Sequence, residues 1–224
     1  MAWDDRIFSI ITAAIILFLT IACLVPFLYL LAVSLSGPTP VMRGEVFLIP
    51  KDFTTEVYRN IVENGTMISA MERTILLTIV STAVSMVFTI LCAYPLSVPG
   101  LRGKKVIVVF IMFTMYFSGG MIPSYLVIHK LGLIDSYLSL ILPCAISTYN
   151  MIVLRSFFTS IPASLKESAL IDGAGDLTIL TKIVLPLSKP SLATIALFYA
   201  VGRWNSLQDA LLYINDPAKA VLPV

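Results

Sequence analysis

Residues 167–190 read ESALIDGAGDLTILTKIVLPLSKP, a polar stretch between two strongly apolar runs. A connection that only joined two membrane spans would need a few polar residues. This one carries the signals of two short helices around a tight turn. Pro162 suits a first helical turn, where its missing N–H would go unbonded in any case. Residues 163–171 then read as helix, and Gly173 supplies the left-handed residue that closes it. Asp176 is placed as the N-cap of a second helix over residues 177–185. Pro186 and Pro190 stop or kink that helix before the next apolar run. Ala169, Gly173 and Ala174 are small, which leaves little room at the turn and allows a partner's backbone to approach. Such a segment is built to be held by something outside the bilayer.

The rest of the chain supplies the bilayer. It is 58% hydrophobic and only 12% charged, with mean hydropathy +0.94, whereas soluble domains carry about 25% charged residues. An integral membrane protein follows. The net charge of +2 gives no reason to expect a nucleic-acid partner. Cys23, Cys92 and Cys144 all sit in apolar runs and read as small hydrophobes. With the lone His129 they make no metal site, and no Ser/His/Asp grouping with usable spacing suggests catalysis. There is no phosphate-binding loop, so the chain is not expected to hydrolyse ATP or to bind a cofactor of its own.

About 20 apolar residues are needed to cross the hydrocarbon core. Residues 7–35 qualify, with Pro26 as a kink. They are too long for the core of a signal peptide, and the flank MAWDDR carries two acids. Residues 74–101, 106–128 and 136–154 are the next runs, and a fifth starts at Ser191 and turns polar from Arg203. The third run is broken by Gly119, Gly120 and Pro123. A short helix at or near the outer membrane surface is expected within residues 118–137. The reading is thus an all-α polytopic bundle of about five spans. Arg102, Lys104 and Lys105 crowd one short loop and mark it as cytoplasmic. Alternation then puts the N-terminus and residues 155–190 in the cytoplasm. Glu72 and Arg73 fall at the outer end of the second span, as headgroup anchors or a gate contact.

Glu167, Ala169, Asp172, Gly173, Ala174, Leu185 and Pro186 fall, with spacing intact, on the EAA-loop pattern of ABC importer permeases. Ser168 replaces the usual first alanine, and Leu180 stands where the family often has phenylalanine. The chain is similar to that family, and to its carbohydrate-uptake branch in particular. A second stretch resembles it through Pro123, Tyr125, Leu126, Leu131, Gly132, Leu133 and Asp135. The resemblance implies a type I importer permease fold in one domain over residues 1–224, with residues 160–190 as the coupling loop. It implies a sixth span beyond Val224. Two cytoplasmic ATPase subunits holding ATP, a second permease subunit and an external solute-binding protein are the implied partners, in the cell membrane. Glu167 would be the polar anchor on the ATPase, Gly173 the turn that cannot be widened, and Leu180 an apolar knob.

Arg203, Trp204, Asn205, Gln208 and Asp209 interrupt the fifth span. Arg at mid-membrane costs at least ~2.5–3.5 kcal/mol on insertion scales, so it should face protein or water. Asn205, Gln208 and Asp209 have the spacing of one helix face. They suit a hydrophilic pathway, with Trp204 as a stacking surface for a sugar ring. Gly202, Trp204 and Asn205 match a Gly-x-Trp-Asn arrangement of sugar-type permeases. Equally, the span can end near Val201 and leave these residues at the outer interface, where Trp is common. Tyr149 and Asn150 in the fourth span carry the same two readings, lining the pathway or only hydrogen-bonding between helices.

The function expected is passage of a sugar or oligosaccharide through half of a translocation pathway, driven by the partner ATPase. An importer permease for another solute and a membrane subunit without transport are the alternatives.

Overall fold

The computed structural model describes residues 2–222. Met1, Pro223 and Val224 lie outside the described residues, as do the side chains of the MAWDDR flank. The chain divides into two compact units, Met1–Ile68 and Ser69–Val224. The described residues are helical or irregular, without strands.

In the first unit α1 (Ala2–Ser34) runs unbroken through Pro26 and contains a span-length apolar helix, Ile7–Ser34. The chain then folds back on the end of α1. Gly37 N–H donates to Lys51 O, and Lys51 N–H to Ser36 Oγ, both at 3.1 Å. Two short helices follow, α2 (Pro38–Met42) and α3 (Glu56–Asn64).

The axis of the second unit is α4 (Thr66–Ser97), 32 residues and long enough to span a bilayer. It is followed by α5 (Lys104–Tyr116) and α6 (Met121–Lys130), bent 110° at the Gly119-Gly120 break. The expected short helix within residues 118–137 is therefore present as α6. The fourth apolar run is not a single helix. It divides into α7 (Leu138–Ile141) and α8 (Thr148–Ser160). Leu142 keeps helical angles (φ −65°, ψ −45°), but Pro143 after it has no N–H to donate and the helix does not continue through it. Ser147 then restarts the helix, its Oγ accepting from Asn150 N–H at 3.4 Å. Next come α9 (Ala163–Ile171) and α10 (Asp176–Leu187), the latter containing a π-helical turn over Leu180–Val184. Then follow α11 (Lys189–Trp204) and α12 (Leu207–Tyr213). Helices α10 and α11 meet at 84° beside Pro190. By length and composition two helices alone can span, or up to four spans form if each bent pair counts as one.

Two apolar clusters grip the ends of α4. Ala93, Tyr94 and Leu96 pack with Met151, Leu154 and Phe158 of α8 and with Ala169, Ile179, Leu180 and Val184. Leu77 packs with Ile128, Ile141, Ala210 and Tyr213. From Leu77 to Ala93 is about 24 Å along a helix. Between them α4 buries Ser81, Ser85 and Thr89. The core is thus apolar at both ends and polar in the middle.

Candidate functional site

The turn between α9 and α10 follows from its local chemistry. Ala174 N–H donates to Ala169 O at 2.9 Å and Gly173 N–H to Leu170 O at 3.0 Å. Gly173 has φ +79°. These are the paired bonds of a Schellman end, and they satisfy carbonyls that a helix end leaves open. A Cβ at Gly173 would meet nothing within 4 Å. The glycine answers to backbone conformation, not to the crowding expected from sequence. The N-cap of α10 is Gly175, and Asp176 is its first residue, without a side-chain cap bond. Asp176 thus sits one position later than expected, with its charge toward the positive end of the helix.

The side chains of this loop divide into two sets. Glu167, Asp172, Gly173 and Pro186 are exposed. Ala169 and Leu180 belong to the apolar cluster, and Ala174 packs against it. Leu180 is only 4% exposed, so it is a core residue of this chain and offers no knob outward. The outward apolar surface comes instead from Ile171, 86% exposed, and Leu177, 71% exposed. Leu180 and Val184, the first and last residues of the π turn, are both buried and form its inward face.

The polar middle of α4 faces a cleft of about 430 Å³, lined by Ser81, Ser85, Asn150, Tyr199, Arg203 and Asp209 among others. Arg203 is 7% exposed. Its Nε donates to Ser81 Oγ at 3.2 Å and its Nη1 to Ser206 Oγ at 3.1 Å. Its Nη1 stands 3.8 Å from Asp209 Oδ2, and the Cys144 thiol approaches that same oxygen at 3.7 Å. Ser81 lies at the midpoint of α4, so the guanidinium is held halfway along a span-length helix.

Helix α11 ends there, at Trp204. Asn205 is its C-cap and Ser206 the N-cap of α12. Asn205, Gln208 and Asp209 therefore do not share one continuous helix, and the one-face expectation is corrected. Asp209 turns to the cleft. Asn205 Nδ2 bonds back to Val201 O at 2.9 Å, and Gln208 Nε2 meets Met121 Sδ at 3.5 Å. Trp204 and Asn205 are exposed outside the cleft lining.

At the Leu77 end, Asp135 clamps the segment after α12. It has φ +59°, and its Oδ1 accepts from the amides of Asn215 and Asp216 at 2.6 and 2.9 Å. Those amides, then the Lys219 charge, hold its carboxyl below the usual range. Arg73 Nη1 donates to Ala220 O at 3.2 Å, so its partner is this same segment.

Sequence reading passed over Ser81, Ser85, Thr89 and Tyr199. The signal was present: Ser81, Ser85 and Thr89 recur every four residues within an apolar run, the pattern of a polar stripe on one helix face.

The family described as "Binding-protein-dependent transport system inner membrane component" matches residues 65–218. The chain is 45% identical over 215 residues to the polygalacturonan/rhamnogalacturonan transport system permease protein YtcP of Bacillus subtilis, covering 96% of this chain and 75% of that one. It is 30% identical over 225 residues to the trehalose/maltose transport system permease protein MalG of Thermococcus litoralis, covering 98% and 79%. The fold matches a chain of a bacterial ABC transporter that imports the acidic polysaccharide alginate. There the TM-score is 0.91 and the identity 37%, over 98% of this chain and 78% of that one. The all-helical fold agrees with these matches, and the chain belongs to this family of transport-system inner membrane components.

Proposed function

We propose that this chain is the permease subunit of an ATP-driven importer and forms half of the pathway for an oligosaccharide. The observation that carries the reading is the mid-depth cleft. Irregular backbone at that depth is tolerated only where protein or a water-filled cavity surrounds it. Here α11 stops opposite Ser81 and opens a cavity lined by hydroxyls, an amide and an ion pair. Such groups suit a polyhydroxylated solute, which exchanges hydrogen bonds with them as it passes. Relatives whose names specify polygalacturonan, rhamnogalacturonan, trehalose and maltose support a sugar substrate.

ATP hydrolysis falls to separate ATPase subunits, which dock on residues 160–190 from the cytoplasm. The exposed Ile171 and Leu177 supply the apolar contact, and Glu167 the polar one. A second permease and an external binding protein complete the assembly. The test is uptake of labelled oligosaccharides by the assembled importer in vesicles. Asn150→Leu should cut uptake at least tenfold while the complex still assembles. Gly173→Val, which cannot hold φ +79° without strain, should leave the chain inserted but abolish uptake and co-purification of the ATPase. Normal uptake by both variants would overturn the reading.

A further inference from the structure

Cations collect where α4 ends, beside the coupling loop. Lys104 and Lys105 open α5, with Arg102 in the turn before it, Arg155 on α8 and Lys166 on α9. Three are pinned on backbone carbonyls. Lys104 Nζ donates to Val98 O at 3.1 Å, Arg155 Nε to Leu96 O at 2.8 Å and Lys166 Nζ to Phe158 O at 2.9 Å. Among the described residues no carboxylate stands within ion-pair distance of any of the five. Each lysine still has two N–H donors to give. Burial, and then the nearby charge of Lys104, holds the Lys166 ammonium below the usual lysine range. An added anion would favour the charged form and offset both.

The same corner holds an apolar groove of about 330 Å³, lined by Leu91, Tyr94, Val98, Leu101, Leu177 and Leu180 among others. Val98 belongs to both features: it lines the groove while its carbonyl holds Lys104. Asp176 also lines the groove. It is one acid against three pinned cations, so the corner stays net positive. Beyond Lys104, α5 buries none of its residues and offers an apolar wall at Val106, Val109 and Phe110.

We propose that Lys104, Arg155 and Lys166 hold the phosphate of an anionic phospholipid whose acyl chain lies in the groove between α4 and α10. Charge complementarity selects the headgroup. Lysine and arginine donate charge-assisted bonds to phosphate, and basic pockets between helices at a membrane face suit such lipids. The groove selects an amphiphile, because free phosphate would use only the cations and an acidic protein surface only the rim. The bound lipid touches Leu180 and so braces the inner side of α10.

The test is native mass spectrometry of the delipidated importer complex purified through this chain. Phosphatidylglycerol, chain-matched phosphatidylcholine and inorganic phosphate are the probes. Phosphatidylglycerol should bind at least tenfold tighter than phosphatidylcholine. That preference should vanish in the Lys104→Gln/Lys166→Gln variant and persist in Lys104→Arg/Lys166→Arg. Leu91→Trp, which fills the groove and keeps the cations, should also weaken lipid binding severalfold. Equal affinity for the two lipids, unchanged binding in the glutamine variant, or equal loss in the arginine variant would overturn the proposal. So would full displacement by millimolar phosphate, which would mark a free-phosphate site.

Discussion

The phenol oxygen of Tyr199 lies 2.7 Å from Thr89 Oγ1, joining α11 to α4 where the polar belt meets the apolar cluster. The same oxygen accepts from Ser147 N–H at 2.9 Å. One hydroxyl thus ties three helices together.

Tyr199→Phe should therefore destabilise the protein by about 1–3 kcal/mol, the usual cost of leaving buried polar groups unsatisfied. Thr89, fully buried, would lose its cross-helix partner, and the Ser147 amide would lose its acceptor. Thermal unfolding in a fixed detergent measures this. A Tm indistinguishable from that of the parent would contradict the account.

Asp209→Asn tests the pair in the cleft. A fully buried pair broken on one side costs about 3–5 kcal/mol. Asp209 is 34% exposed at its side chain and stands 3.8 Å from Arg203, so solvent screening brings the expected loss to about 1–2 kcal/mol. Arg203→Met removes the charge but leaves Ser81 and Ser206 without their donor. Chemical unfolding of the two variants should rank both below the parent.

At Gly173 the constraint is conformational. Left-handed backbone costs an ordinary L-residue about 1–2 kcal/mol, and Asn or Asp adopts it more readily. Gly173→Val should thus expose the α9–α10 turn to protease faster than Gly173→Asn does. Equal cleavage rates in the two variants would mean that φ +79° is not what fixes this residue.

Asp135 makes its clamp on the segment after α12 sensitive to pH. Its folded carboxyl titrates below the unfolded value, near 3.9. The contribution is therefore complete above about pH 4 and is lost as pH falls through the depressed folded value. Hydrogen exchange at the Asn215 and Asp216 amides should show protection at neutral pH that fades in acid. Asp135→Asn should reduce that protection at neutral pH and flatten its dependence on pH.

Local signals were legible in the sequence, and those set by tertiary packing were not. Residues 163–171 and the closing glycine were readable because Pro162 and Gly173 act on their own neighbours. The α5–α6 break was readable for the same reason. Pro143 was an equally local signal, but the apolar run around it masked the division of α7 from α8. Leu180 was expected as an apolar knob only because it stands where the resembled family often has phenylalanine. Its burial beside Ile179 and Val184 is set by packing against α4 and α8, which no neighbouring residue announces. Arg203 was legible as costly but not as placed, since its depth is set by Ser81, 122 residues away along the chain.

The π turn has one more consequence. In an α-helix each residue advances the heading by about 100°, and a π turn accommodates one extra residue within a single turn. The direction in which Leu177 and Ile171 point is thus set by counting, whatever side chains do the counting. Removing Thr181 or Lys182, both exposed, would delete no core contact and no charge pair. It would still re-aim the loop by about a quarter turn. Within residues 180–184, the length of the chain is itself the encoded information.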